Sequence, residues 1–141
     1  MTIDISIDPT GDQIRHLRDK GPDGPIVMVN LLKFRAHADY SPGAHAAVST
    51  GREAYALYEH AFTVTVGEVS KAEIIFRGPV NQLFIGRTDE PANDWDDVLV
   101  VRYPSRQHFL AMLAHPTYKE ALHHRYAGLE RTLLLQCRAE D

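Results

Sequence analysis

The sequence predicts an α+β domain in which one four-stranded antiparallel sheet is covered by helices on one face. Three observations carry this. A chain of 141 residues and 15.9 kDa, 44% hydrophobic and 24% charged, has the size and mixture of one domain with one core. The segment from Ile26 to Arg35 is apolar on both alternating faces for most of its length, as in a strand covered on both sides. Strand-like and helix-like segments then follow in the order strand, helix, strand, strand, helix, strand, after an N-terminal addition.

Ile3, Ile5 and Ile7 alternate with polar residues and predict a short strand. Thr10 with Gln13 forms a capping box that opens a helix with a thin apolar face, Ile14 and Leu17. Gly21, in the left-handed conformation, and Pro22 stop it. The central strand follows. After a loop carrying His37, Tyr40 and Pro42, Thr50 and Glu53 form a second capping box. The helix it opens places Tyr55, Tyr58 and Phe62 on one face and ends at Gly67. Ala72, Ile74 and Phe76 begin an edge strand that bends at Gly78-Pro79 and resumes from Val80 to Ile85. It pairs through a long polar loop with the strand Val98 to Val101. Ser105 caps a helix with Phe109, Met112 and Leu113 inward, and Pro116 interrupts it. A second helical piece carries Tyr118, Leu122, Arg125 and Leu129 on one stripe, and Thr132 to Cys137 is the last strand.

This order is the ferredoxin-like βαββαβ arrangement, with both helices on one face of the sheet. The chain divides into an N-terminal strand and helix extension, residues 1–24, and a ferredoxin-like domain, residues 25–141, in one structural unit. Because the central strand is apolar on both sides, the uncovered sheet face calls for a second copy of the chain, a homodimer through sheet faces.

Composition removes several function classes. Nineteen acids against fifteen Lys plus Arg give a net charge of -4, and the cations form no stripe, so nucleic acid is not an expected partner. One cysteine, Cys137, excludes an internal disulfide framework and fits a reducing, cytoplasmic setting. No apolar run reaches a membrane span, and the first residues lack the basic region of a secretory signal.

The strand Val27-Met28-Val29-Asn30-Leu31-Leu32-Lys33-Phe34, the segment Gly78-Pro79-Val80, the stretch Trp95 to Ser105, and His124-Arg125 before Gly128-Leu129 together resemble the bacterial family called domain of unknown function 1330. That family lies within the dimeric α/β-barrel superfamily. The resemblance spans roughly residues 25 to 138 and implies the ferredoxin-like fold and a sheet-to-sheet dimer. It implies no reaction; relatives in the superfamily include cofactor-free monooxygenases, isomerases and haem proteins.

The candidate site residues each have two readings. Asn30, mid-strand on the face of Met28, Leu32 and Phe34, either orients a ligand between sheet and helices or is a core amide bonded to backbone. Arg125 points its stem at the core and needs an anion, either a ligand carboxylate or a protein carboxylate. His124 borders it and is the candidate for acid-base work. Tyr58 fills the core and offers a phenol to a pocket. Trp95 either lids the pocket or plugs the dimer edge. The eight histidines lack metal-ligand spacing, so neither metal nor cofactor is expected. Cys137 is expected buried and inert, and Ser105 is a helix cap. The functional expectation is a small-molecule-binding homodimer, with cofactor-free oxygenation or isomerisation of a small oxygenated or carboxylate-bearing substrate as the chemistry such a site could host. Two alternatives stand beside it: a non-catalytic binding or interaction protein, and a haem-binding protein, which needs one axial His.

Overall fold

The computed structural model describes residues 6–40, 48–63 and 67–140. Its elements are α1 (Gly11–Lys20), β1 (Ile26–Phe34), α2 (Gly51–Ala61), α3 (Gly67–Ser70), β2 (Glu73–Pro79), β3 (Asp97–Tyr103), α4 (Arg106–Ala114), α5 (Pro116–Gly128) and β4 (Leu129–Arg138). The four strands form one antiparallel sheet in the order β2-β3-β1-β4, the ferredoxin-like order, with β1 inside as expected.

Strand alternation decides the two faces of this sheet. Ile26, Met28, Leu32 and Phe34 of β1 and Leu99, Val101 and Tyr103 of β3 are buried beneath the helices, where they meet Tyr55, Tyr58, Phe109, Met112 and Tyr118. The other face carries Val27, Val29, Leu31, Val98, Val100, Phe76, Leu133 and Leu135 by register, and the core formed with the described helices lies on the opposite side. Phe76, Leu133 and Leu135 remain 55%, 49% and 53% exposed there. Capping boxes open α1 at Thr10/Gln13 and α2 at Thr50/Glu53, and Ser105 caps α4.

Several boundaries depart from expectation. Of the N-terminal strand, Ile3 and Ile5 lie outside the described residues; Ile7 is buried in a turn, beside Ser6, whose carbonyl accepts from the Thr132 N–H at 2.9 Å. Gly21 is extended (φ −66°), not left-handed. Close approach explains it instead: a Cβ there would stand 2.3 Å from the Leu17 carbonyl and 2.7 Å from Arg106 Cδ. Gly67 opens α3 and does not close α2. The bulge in β2 falls at Ile75, between Ile74 and Phe76, and not at Gly78-Pro79. No strand resumes from Val80 to Ile85, because β3 begins at Asp97, opposite Pro79, and the chain beyond has no partner to pair with. Val80 makes one last bond, its N–H donating to the Asp96 carbonyl, and Phe84 and Ile85 then stand 82% and 86% exposed. Leu129 is the first residue of β4 and not the last of the α5 stripe, so β4 is longer than its Thr132–Cys137 expectation. Cys137 is exposed, since β4 is an edge strand and its odd-numbered residues face the uncovered side. Among the described residues no helix is long and apolar enough to cross a membrane.

Candidate functional site

The interior concavity lies between α2 and the sheet. It is a cavity of about 40 Å³, walled by Tyr55, Tyr58, Glu59, Phe62 and Thr63 from the α2 side and by Asn30, Ile74, Leu99, Val101 and Tyr103 from the sheet. One or two water-sized groups fill such a space, whereas sites for drug-sized molecules run to roughly 300–1,000 Å³. Haem does not fit it, and no histidine lines it.

Asn30 reaches this cavity because its even number in β1 turns it to the helix side. Its Nδ2 donates to the Leu99 carbonyl at 2.9 Å and, more weakly, to the Met28 carbonyl at 3.4 Å. Its Oδ1 accepts from no described residue, so the donor end of the amide is spent on the backbone while the acceptor end of this cavity-lining side chain is uncommitted. Tyr58 is buried, and its hydroxyl donates to the Tyr118 hydroxyl at 3.0 Å. Burial pushes the Tyr58 phenol well above its ordinary pKa, and Tyr55 and Tyr103 shift the same way for the same reason. These phenols stay protonated; they can donate hydrogen bonds but cannot serve as bases near neutral pH.

Beside the cavity runs an ionic chain that sequence reading did not single out. Glu59 takes a bidentate pair of bonds from Arg77 (2.6 and 2.7 Å), Arg77 reaches Asp97 Oδ2 at 3.4 Å, and Arg52 reaches the same oxygen at 2.9 Å. Asp97 is 1% exposed, and its Oδ1 is buried without a partner. A signal for it existed: Asp97 keeps the two-residue step of Leu99, Val101 and Tyr103, which places it on the core face.

The other expected site residues do not line the cavity. Arg125 has a side chain only 13% exposed, with Nη1 3.9 Å from Asp8 Oδ1 and no hydrogen bond to a described residue. Burial works against its charge, yet the phenol oxygens of Tyr58, Tyr118 and Tyr55 and the Asp8 carboxylate leave its pKa raised. Tyr126, mainly through burial and then through Asp8, is pushed up to about 12. His124 Nδ1 sits 2.7 Å from the Tyr40 hydroxyl, and its ring packs on His123 at 3.9 Å between centroids. Desolvation raises the Tyr40 pKa. Trp95 lies under the Arg131 guanidinium, 4.2 Å from ring centroid to Cζ, and Arg131 in turn donates to the carbonyls of Pro91, Ala92 and Asp94. Among the described residues no three His, Cys, Asp or Glu side chains converge as a metal site.

Solved structures share this architecture. The methylated RPA0582 protein superposes with a TM-score of 0.83 at 34% identity, covering 96% of this chain and 95% of its own. The chain belongs to the family of RPA0582. A second structure of RPA0582, described as a protein of unknown function from Rhodopseudomonas palustris, gives 0.80 at 33% identity over 96% of this chain and 97% of that one. A dimeric protein of unknown function from Bacteroides fragilis with a ferredoxin-like fold matches at 0.51 and 15% identity, over 82% of this chain and 96% of that one, a likeness of fold alone. No protein-family model and no curated protein matches the sequence.

Proposed function

We propose that this member of the RPA0582 family is a homodimeric binding protein for a small oxygen-bearing molecule, held through a hydrogen-bonding group in the cavity between α2 and the sheet. The observation that carries the reading is the uncommitted Asn30 Oδ1 on a wall whose other polar groups are buried, protonated phenols, the Thr63 hydroxyl, which donates to the His60 carbonyl, and the Glu59 carboxylate, which Arg77 already holds. The amide oxygen only accepts, so the group it suits in a water-sized space is a hydroxyl, which donates to it and can also accept from a phenol. Binding is favoured over acid-base catalysis, because the phenols stay protonated, the Glu59 carboxylate is held by both bonds from Arg77, and His124 does not line the space. The dimer is supported by the uncovered sheet face, whose apolar side chains stand half-exposed in the single chain. It also accords with the resemblance to the domain of unknown function 1330 family.

Native mass spectrometry of the protein from its own source tests both halves together. The expected result is a dimer carrying a small molecule that the Asn30→Leu variant no longer retains. A monomer, a dimer with nothing bound, or equal retention by Asn30→Leu would each refute the proposal.

A further inference from the structure

A second concavity, an open groove of about 400 Å³, lies where the end of β1, the start of β4 and the N-terminus of α2 meet. Its volume falls in the small-molecule range that the interior cavity misses. Lys33, Arg35, Thr50, Arg52, Asp96 and Glu130 supply its polar lining.

The three cations are not equivalent. Lys33 Nζ is held by Asp94 at 2.9 Å and Asp96 at 3.3 Å. Arg52 is bound to Asp97 and lies over the Phe34 ring, 4.7 Å from its centroid. Arg35 makes no hydrogen bond or ion pair with any described side chain, and its Nε is buried. A guanidinium partly withdrawn from water without an acceptor is costly, and an anion on its open edge relieves that cost. Its backbone is clamped: the Arg35 N–H donates to Gly128 at 2.8 Å, and the Gly51 N–H donates to Arg35 at 3.1 Å. Both glycines are required by close approach, since a Cβ on Gly51 would stand 2.2 Å from the Arg35 carbonyl and one on Gly128 would stand 2.6 Å from the Gly51 carbonyl. These bonds fix the backbone from which the Arg35 side chain projects.

An uncommitted acid lines the same groove. The β1–β4 ladder pairs Lys33 with Arg131 and Phe34 with Leu129, so Glu130 is the extra residue of a β-bulge, a device that re-aims a side chain. Glu130 is exposed and ion-paired to no described residue. Asp96 is already engaged, through Lys33 and the Phe34 N–H at 2.9 Å. We infer that this groove binds a small zwitterion of the amino-acid type, its carboxylate on Arg35 and its ammonium on Glu130.

Amide NMR titrations with glycine, propionate, ethylammonium and inorganic phosphate test this. Glycine should shift the amides around Arg35, Arg52 and Glu130 saturably, propionate should do so about tenfold more weakly for want of one charge-assisted contact, and ethylammonium and phosphate should fall behind glycine. Glu130→Gln, on an exposed side chain, should bring glycine down to the propionate level and leave propionate unchanged. Arg35→Gln should lose both. Absence of saturable shifts, phosphate binding tighter than glycine, or glycine binding indifferent to Glu130→Gln would overturn the assignment. Should Arg35→Gln fail to fold, the Glu130 comparison alone decides it. The groove amides read this out separately from any molecule held in the interior cavity.

Discussion

Replacing Leu135 by Asp is the sharpest test of the proposed dimer. Leu135 projects from the edge strand β4 onto the uncovered sheet face and is 53% exposed in the single chain. Burying a whole Leu side chain stabilises by about 1.5–3 kcal/mol, so covering the remaining half with a partner contributes about 1 kcal/mol per protomer. An aspartate there loses that term and adds an uncompensated polar burial of about 3 kcal/mol. A two-fold interface counts every change twice, so the substitution costs the dimer about 8 kcal/mol, nearly six orders of magnitude in Kd. The isolated protomer should tolerate it, because that position already faces water. Light scattering after size exclusion should give the wild type twice 15.9 kDa at micromolar concentration and Leu135→Asp near 15.9 kDa, with the circular dichroism spectrum retained. A wild-type mass near 15.9 kDa, or a variant that stays dimeric, would refute the reasoning.

Gly51→Ala drives a Cβ to 2.2 Å from the Arg35 carbonyl and 2.6 Å from that of Gly128, and should cost about 3 kcal/mol, read as a lower denaturation midpoint; an unchanged midpoint would contradict the packing at this corner. Arg125→Met should change stability by no more than about 1 kcal/mol, because the Asp8 contact at 3.9 Å is long and includes no hydrogen bond; a thermal melt lowered by the 3–5 kcal/mol typical of a broken buried pair would place Arg125 in the scaffold. Asp94 titrates below the usual aspartate range, chiefly through its hydrogen bond from Lys33. With its folded pKa depressed, its contribution to stability is present above the unfolded pKa and fades as pH falls through the folded one. Carboxyl NMR should show this low midpoint and its return to the usual range in Lys33→Met; identical midpoints would discount the pair.

The fold was legible because its signals are local. Alternation in β1 and β3, the two capping boxes and Pro116 at the first position of α5 each depend on neighbours within a few residues. What was misread depends on distant partners. Val80 to Ile85 has strand composition, yet whether it pairs is decided by where β3 begins. Gly21 has helix-stop composition, yet the space a side chain would need there is taken by the Leu17 carbonyl one turn back and also by the side chain of Arg106, eighty-five positions away. Cys137 continues the alternation of Leu133 and Leu135, yet it lies between Gln136 and Arg138, and its exposure follows from β4 being an edge. The Asp97 cluster joins three elements, and the partners of its carboxylate lie 45 and 20 positions away along the chain.

The candidate site shows the same limit in sharper form. Periodicity aims a side chain around an element's axis but says nothing of its place along it. Asn30 and Arg125 are both aimed inward, as their spacing requires, yet only Asn30 lines the cavity. The Arg35 N–H bond to the Gly128 carbonyl ties the end of α5 to the end of β1. Asn30 lies five residues back along β1, roughly 17 Å at strand rise, and Arg125 three residues back along α5, roughly 5 Å at helix rise. With α5 ending at that tie, the two positions remain roughly 12 Å apart along the sheet. That offset is one of backbone positions, and it leaves Asn30 in the cavity wall and Arg125 outside it. Spacing along each element therefore sets which inward residue reaches the cavity, and Arg125 meets its phenols Tyr58 and Tyr55 only through its charge.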